Sequence, residues 1–142
     1  MKCVDVNVLV YAHFAAAPEH EAYATLLSEL AEGDAPWAMS ELVMSGFLRV
    51  ANHGTAFEAA SMPAALEFLD ELIERPNVTL IRPGADHWRI FRKLVETSGV
   101  KGKLVSDAFH AALAIEHGCE WLSADADFGR FKGLRWSHPL RG

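Results

Sequence analysis

Residues 4–10 read Val4-Asp5-Val6-Asn7-Val8-Leu9-Val10, an apolar run into which one carboxylate and one amide are set. Cys3 to Asp5 opens a short strand, and a helical stretch follows from about Asn7 to Phe14. A carboxylate inside such a run is costly to bury unless it is paired, hydrogen-bonded or bound to a metal. Asp5 is therefore a candidate for chemistry from the outset. Outward from this stretch the pattern repeats. Tyr23, Leu26, Leu27 and Leu30 recur at helical spacing between Pro18 and Glu32, and Gly33-Asp34 stops that helix. Pro36 to Met39 is a buried strand, and Ser40 caps a helix through Val50.

The next helix is capped by Ser61, carries Pro63 in its first turn and ends at Pro76. Leu66, Leu69, Leu72 and Ile73 fall on one side of it, with an acidic stripe of Glu67, Asp70, Glu71 and Glu74 on the other. Asn77 to Ile81 is β-branched enough for a strand. Ala85 to Thr97 is a helix with Trp88, Phe91, Leu94 and Val95 inward, and Ser106 caps another that ends at Gly118. Trp121 to Ser123 is a strand, Phe128 to Phe131 a helical turn, and Leu134 to Trp136 a last strand. Strands alternating with helices predict an α/β fold, a parallel sheet with helices on both faces.

The chain has 142 residues, the size of one domain, so residues 1–142 are expected to form a single unit. Hydrophobic residues make up 51% and charged residues 23%, which excludes disorder, collagen and a coiled coil. Cys3 and Cys119 are too few for a disulfide scaffold or a cysteine-held zinc, and suit a reducing, cytoplasmic interior. No run of about 18 apolar residues occurs, so no membrane span is expected. The net charge is −6, but unevenly distributed: residues 1–81 hold three basic and twelve acidic side chains, residues 82–142 ten and seven. Bulk charge does not favour a polyanion. Phosphate chemistry would need local basic groups and metal ions.

On a parallel sheet, strand C-termini and the helix starts that follow them share one edge, where ligands bind. Asp5, Glu41, Asp107 and Asp125 all fall there, with Asp127 close by. Acidic residues also favour helix N-termini for their exposed amides and dipole, so each except Asp5 has a purely local explanation too. Crowded carboxylates repel unless cations sit between them. Hard oxygen ligands with open water positions suit Mg²⁺ or Mn²⁺, which activate water and stabilise phosphoryl displacement. Metal-dependent phosphodiester hydrolysis is the chemistry these acids suggest.

In order and spacing, several stretches resemble the PIN domain, and more closely the VapC-type ribonuclease toxins in a mycobacterial-type branch. They are Val4 to Ala12, Ser40-Glu41-Leu42 with Phe47-Leu48-Arg49, and Arg75-Pro76-Asn77-Val78. Ser106-Asp107-Ala108 with Ala111 to Ala114, Ser123 to Phe128, and Phe131 to Trp136 complete the set. The resemblance implies a three-layer α/β/α sandwich with an acidic Mg²⁺ or Mn²⁺ pocket. By position, Asp5, Glu41, Asp107 and Asp125 would be the catalytic set, with Asp5 and Asp107 as the direct metal ligands. Asn7 and Ser123 match supporting polar positions, and Asp127 could join the metal shell through water or serve only its turn. The family implies an RNA substrate cut to leave a 5′-phosphate and a 3′-hydroxyl, a homodimer, and inhibition by a VapB-type antitoxin. A departure lies at Asn52-His53-Gly54-Thr55, where relatives often carry a proline or a basic residue.

Other chemistries are excluded by what is missing. Lys101-Gly102-Lys103 lacks the first glycine and the Ser/Thr of a phosphate loop, and no Gly-x-Ser-x-Gly elbow exists for a serine hydrolase. Asp5-Val6-Asn7 lacks the second aspartate of a dehalogenase-like phosphatase. No two histidines have the i, i+4 spacing of a helical zinc site; His110, one turn from Asp107, is the exception worth following. Arg89, Arg92, Lys93, Lys101, Lys103, Arg130, Lys132 and Arg135 could hold phosphates or simply be solvated. The alternative to an enzyme is a non-catalytic module of the same fold that binds protein or RNA.

Overall fold

The computed structural model describes residues 1–53 and 61–141. In chain order the elements are β1 (Lys2–Val4), α1 (Val6–His13), α2 (His20–Glu32), β2 (Trp37–Ser40), α3 (Glu41–His53) and α4 (Met62–Ile73). Then come β3 (Val78–Ile81), α5 (His87–Ser98), α6 (Lys103–Glu116), β4 (Glu120–Leu122), a 3-10 turn (Ala126–Arg130) and β5 (Arg135–Ser137). The strands form one parallel sheet in the order β3-β2-β1-β4-β5. All four residues of β2 are buried, as are Cys3 and Val4 of β1 and Trp121 and Leu122 of β4. Only a sheet covered on both faces hides alternate side chains equally, which is why these strands lack polar alternation. The helices pack in two sets, α1 to α4 and α5 with α6. The expected α/β architecture stands.

Strand order decides where a ligand goes. The chain leaves β1 toward β2 and leaves β4 toward β5, so a crevice opens between the C-terminal ends of these two neighbours. Asp5 N–H, just past β1, donates to Leu122 O at 2.9 Å and locks the two ends together. Close approach of α3 to α1 rests on Gly46, since a Cβ there would lie 2.9 Å from Val6 Cγ2.

Three expectations need correction. Trp88 does not point inward: it is 67% exposed, and His87 takes the buried position, with Nε2 3.0 Å from Phe109 O. His87, Phe91 and Leu94 share the inner side of α5, and Trp88 lies about 100° round from His87. On α4 the core contact is made by Ala65, Leu69 and Leu72, while Leu66 is 43% exposed. Ser106 caps nothing, because α6 already begins at Lys103, where Gly102 turns the chain with φ 61°. Ser40 and Ser61 do cap, accepting from Leu42 and Val43 N–H and from Ala64 N–H respectively. Of the departure at 52–55, Asn52 and His53 close α3, and Gly54 and Thr55 lie outside the described residues.

Asn77 ties the α2–β2 connection to the start of β3. Its Nδ2 lies 2.8, 2.9 and 3.0 Å from the carbonyls of Leu30, Gly33 and Ala35. Asn77→Ala strips these carbonyls of their donor and should cost about 1–3 kcal/mol in urea denaturation. A loss within experimental error would mean that water satisfies the loop equally well.

Candidate active site

Asp5 caps α1, and its position there is over-determined. Oδ1 accepts from Val6 N–H at 2.6 Å, and Oδ2 accepts from the Ser123 hydroxyl at 2.7 Å and from the Asn7 amide at 3.3 Å. Asn7 also donates to Ser123 Oγ at 3.1 Å and accepts from Ala124 N–H at 3.1 Å. Ser123 Oγ in turn accepts from Asp125 N–H at 3.1 Å. This network joins the end of β1 to the end of β4 across 116 and more residues of sequence. Asn7 and Ser123 thus hold Asp5 and the Asp125 backbone in register.

Asp107 comes to the same place from α6. Because the helix starts at Lys103, Asp107 lies beyond its first turn, where terminal amides no longer reach, so a helix-end role does not explain it. It is buried, and its Oδ2 has no hydrogen-bond partner. The nearest cation is Lys103, one turn earlier, with Nζ 3.6 Å from Asp107 Oδ2 and 3.3 Å from Asp125 Oδ2. Asp125 divides its oxygens: Oδ1 accepts from Asp127 N–H at 2.9 Å as the cap of the 3-10 turn, and Oδ2 faces Lys103. Asp127 is half exposed, with Oδ1 3.7 Å from Arg130 Nη2.

Asp5, Asp107 and Asp125 line one cleft of about 540 Å³, shared with Lys103, Arg49, His110 and Tyr11. Glu41 starts α3 at the same sheet edge, but it does not line the cleft. Its exposed carboxylate is bonded through Oε1 to Arg82 Nε and through Oε2 to Nη2 at 3.3 Å, which holds it below the usual carboxylate range. Arg49 was not singled out from sequence. The available signal is helical: Leu42, Ser45, Gly46 and Arg49 lie at i, i+3, i+4 and i+7, and a glycine inside a helix marks close approach.

Burial pushes the Asp5 carboxyl above its ordinary value, opposed by the Ser123 and Val6 hydrogen bonds and reinforced by Asp125. Asp107 is raised too, first by burial, opposed by the Lys103 ammonium and reinforced by the negative charges of Asp125 and Asp5. Among the described residues no three acid, imidazole or thiol groups are drawn into a ready-made metal cage. Yet a buried carboxylate oxygen without a partner, beside two further carboxylates and a single exposed ammonium, is a donor set short of positive charge. A hard divalent cation fits that deficit.

His110 stacks on Trp121, ring centroids 5.4 Å apart, with Nδ1 buried and unpartnered. Burial lowers its pKa from 6.5 to about 4 against the pull of Asp107. Between those values the unfolded chain carries the extra proton, so this group's stabilisation falls as pH drops from 6.5 toward 4. The raised Asp5 and Asp107 act in the opposite sense, losing stabilisation as pH rises above 3.8, and they are common to wild type and variant. Urea denaturation in EDTA should therefore show wild type losing roughly 3 kcal/mol relative to His110→Leu across that window. Parallel pH profiles would show that His110 is hydrated.

A family model described as the PIN domain matches residues 2–134. The chain is 44% identical to the VapC ribonuclease Mb2897 of Mycobacterium bovis, covering all of this chain and 97% of that protein. It is 34% identical to ribonuclease VapC31 of Mycobacterium tuberculosis, covering 98% and 99%. Among solved structures, VapBC2 of Rickettsia felis bound to a promoter DNA fragment superposes with a TM-score of 0.71 at 19% identity, over 96% of each chain. The sarcin-ricin loop cleaving toxin VapC20 of Mycobacterium tuberculosis superposes with a TM-score of 0.67 at 18% identity, over 95% and 99%. With the family model spanning nearly the whole chain and full-length relatives at this identity, the chain belongs to the PIN-domain family, in its VapC ribonuclease branch.

Proposed function

We propose that this protein is the toxin of a type II toxin–antitoxin pair, an endoribonuclease that hydrolyses RNA phosphodiester bonds with a divalent cation. PIN-domain ribonucleases of the VapC kind are generally metal-dependent. The observation that carries the reading here is Asp107 Oδ2, buried without a hydrogen bond and with its nearest cation, Lys103 Nζ, 3.6 Å away, in a cleft with Asp5 and Asp125. Asp5 and Asp107 would hold the ion, Mg²⁺ or Mn²⁺. When bound, it lowers the pKa of water and neutralises charge on the phosphoryl oxygens. Asp125, fixed by its own turn, orients water and accepts its proton. Glu41 completes the acidic set once its ion pair with Arg82 opens.

A water oxygen attacks phosphorus and the bond to the 3′ oxygen breaks; that oxygen takes a proton from solvent water and leaves as a hydroxyl, and the phosphate stays on the 5′ oxygen of the downstream fragment. Lys103 and Arg49 line the same cleft and would hold non-bridging phosphate oxygens, where a charged hydrogen bond is stronger than a neutral one. The partner is a VapB-type antitoxin, the working form is a homodimer, and the compartment is the cytoplasm. Among the described residues no helix is long and apolar enough to cross a membrane.

Asp107→Asn tests the reading through two readouts. Cleavage of total cellular RNA in Mg²⁺ should fall at least about 100-fold, on the scale of losing a group that stabilises charge in the transition state. In EDTA the variant should melt higher than wild type, because a buried, repelled charge has been removed. Saturating Mg²⁺ should raise the melting temperature of wild type alone. Equal cleavage by the two proteins would refute the proposal, as would a metal-induced stabilisation that survives in the variant.

A further inference from the structure

A second cavity, of about 470 Å³, opens between α5 and the loop after the 3-10 turn. Arg89 and Lys93 stand on its α5 side, and Arg130, at the end of the 3-10 turn, and Lys132, in the loop after it, line the other. None of the residues lining it is acidic. The ion pairs of Arg89 and Arg130 are long and exposed, 3.6 Å to Asp86 and 3.7 Å to Asp127, and Arg130 Nε also donates to Asp127 O at 3.2 Å; exposed ion pairs of this kind hold a side chain weakly. Among the described residues, Lys93 and Lys132 have no ion pair. Four cations round one groove stand out in a chain of net charge −6.

The arrangement selects a linear polyanion. Arg89 and Lys93 are one helical turn apart, about 6 Å along α5, so these two positions are spaced along the groove, as successive phosphates of a strand are. Leu94 and Ile115 supply an apolar floor between the cationic walls, suited to sugar and base faces. Both walls lead along the chain into the acidic cleft. α5 ends at Ser98 and the chain reaches Lys103 after residues 99–102, while Arg130 closes the turn that Asp125 caps.

We propose that this groove is a backbone-binding exosite for single-stranded RNA, gripping phosphates that flank the scissile bond. The proposal rests on the ribonuclease reading and assigns a place to the strand that the acidic cleft alone would repel. Contacts of this kind position a strand without reading its sequence.

The test measures binding of a labelled 20-nucleotide single-stranded RNA by anisotropy, in EDTA, from 50 to 300 mM salt. Binding without turnover keeps a failure of this groove distinct from a failure of cleavage. Each cation that leaves the complex removes about 0.7 from the salt slope of single-strand binding. Lys93→Gln/Lys132→Gln should therefore flatten the slope by about 1.4 and weaken affinity roughly tenfold near 150 mM salt. A charge-matched control, Lys2→Gln/Arg75→Gln, removes two cations away from the groove and should leave the slope near that of wild type. With Mg²⁺, the groove variant should raise KM for the 20-mer and leave kcat unchanged. Equal losses in the groove variant and the control would overturn the proposal, since bulk charge would then explain both. Unchanged RNA binding together with lost binding of a polyglutamate peptide would overturn it in favour of an acidic protein partner.

Discussion

Asp5 has its two carboxylate oxygens engaged by a backbone N–H, a hydroxyl and an amide, in a position only 7% exposed. Removing a carboxylate from water is tolerable only when nearly all of its acceptor capacity is used, and the rest of the cleft is arranged to meet that condition. Ser123 must follow β4 directly, and Asn7 must lie in the first turn of α1. The Asp5 N–H bond to Leu122 O brings both segments to one point. The parallel pairing of β1 with β4 is thus as much a requirement of Asp5 as a consequence of hydrophobic patterning. Gly46 belongs to the same arrangement, since α3 could not come so near Val6 with a larger residue.

Asp107 is in the opposite situation. Its outer oxygen is buried and receives no hydrogen bond, and burial combines with neighbouring charge to disfavour its ionised form. Satisfying it with a local donor would stabilise the fold and occupy the oxygen that could otherwise ligate a cation. Natural active sites commonly retain such unfavourable groups because the chemistry requires them. Lys103 moderates the repulsion from an exposed position, at 3.6 and 3.3 Å from the two carboxylates it faces. An ammonium on a flexible stem can also leave when a stronger cation or a phosphate arrives.

Charge is sorted across the molecule in a way that composition conceals. A net of −6 argues against a polyanionic substrate if spread evenly. The fold instead collects cations from α5, from the end of the 3-10 turn and from the loop beyond it around one groove, and gathers carboxylates at the sheet edge.

Much of this was legible in the chain itself. Apolar runs of strand and helix length, punctuated by Ser40, Ser61, Pro76 and the glycines, predict the alternating elements, because burial and capping are local demands. A carboxylate within Val4 to Val10 announces its own cost, so Asp5 could be singled out without a fold. The start of α6 could not be read this way: Ser106 looks like a cap, and only the left-handed turn at Gly102 reveals the helix beginning at Lys103. Trp88 looks like core by type, yet which side of α5 faces inward depends on α6 and Phe109. The sequence by itself determined the class of fold, through hydrophobic period, and singled out Asp5, through the cost of buried charge. Only the tertiary structure decided that Asp107 Oδ2 is buried without a hydrogen bond, that Glu41 is held by Arg82, and that Lys103 reaches Asp125 as well as Asp107, because those facts depend on how separate elements pack.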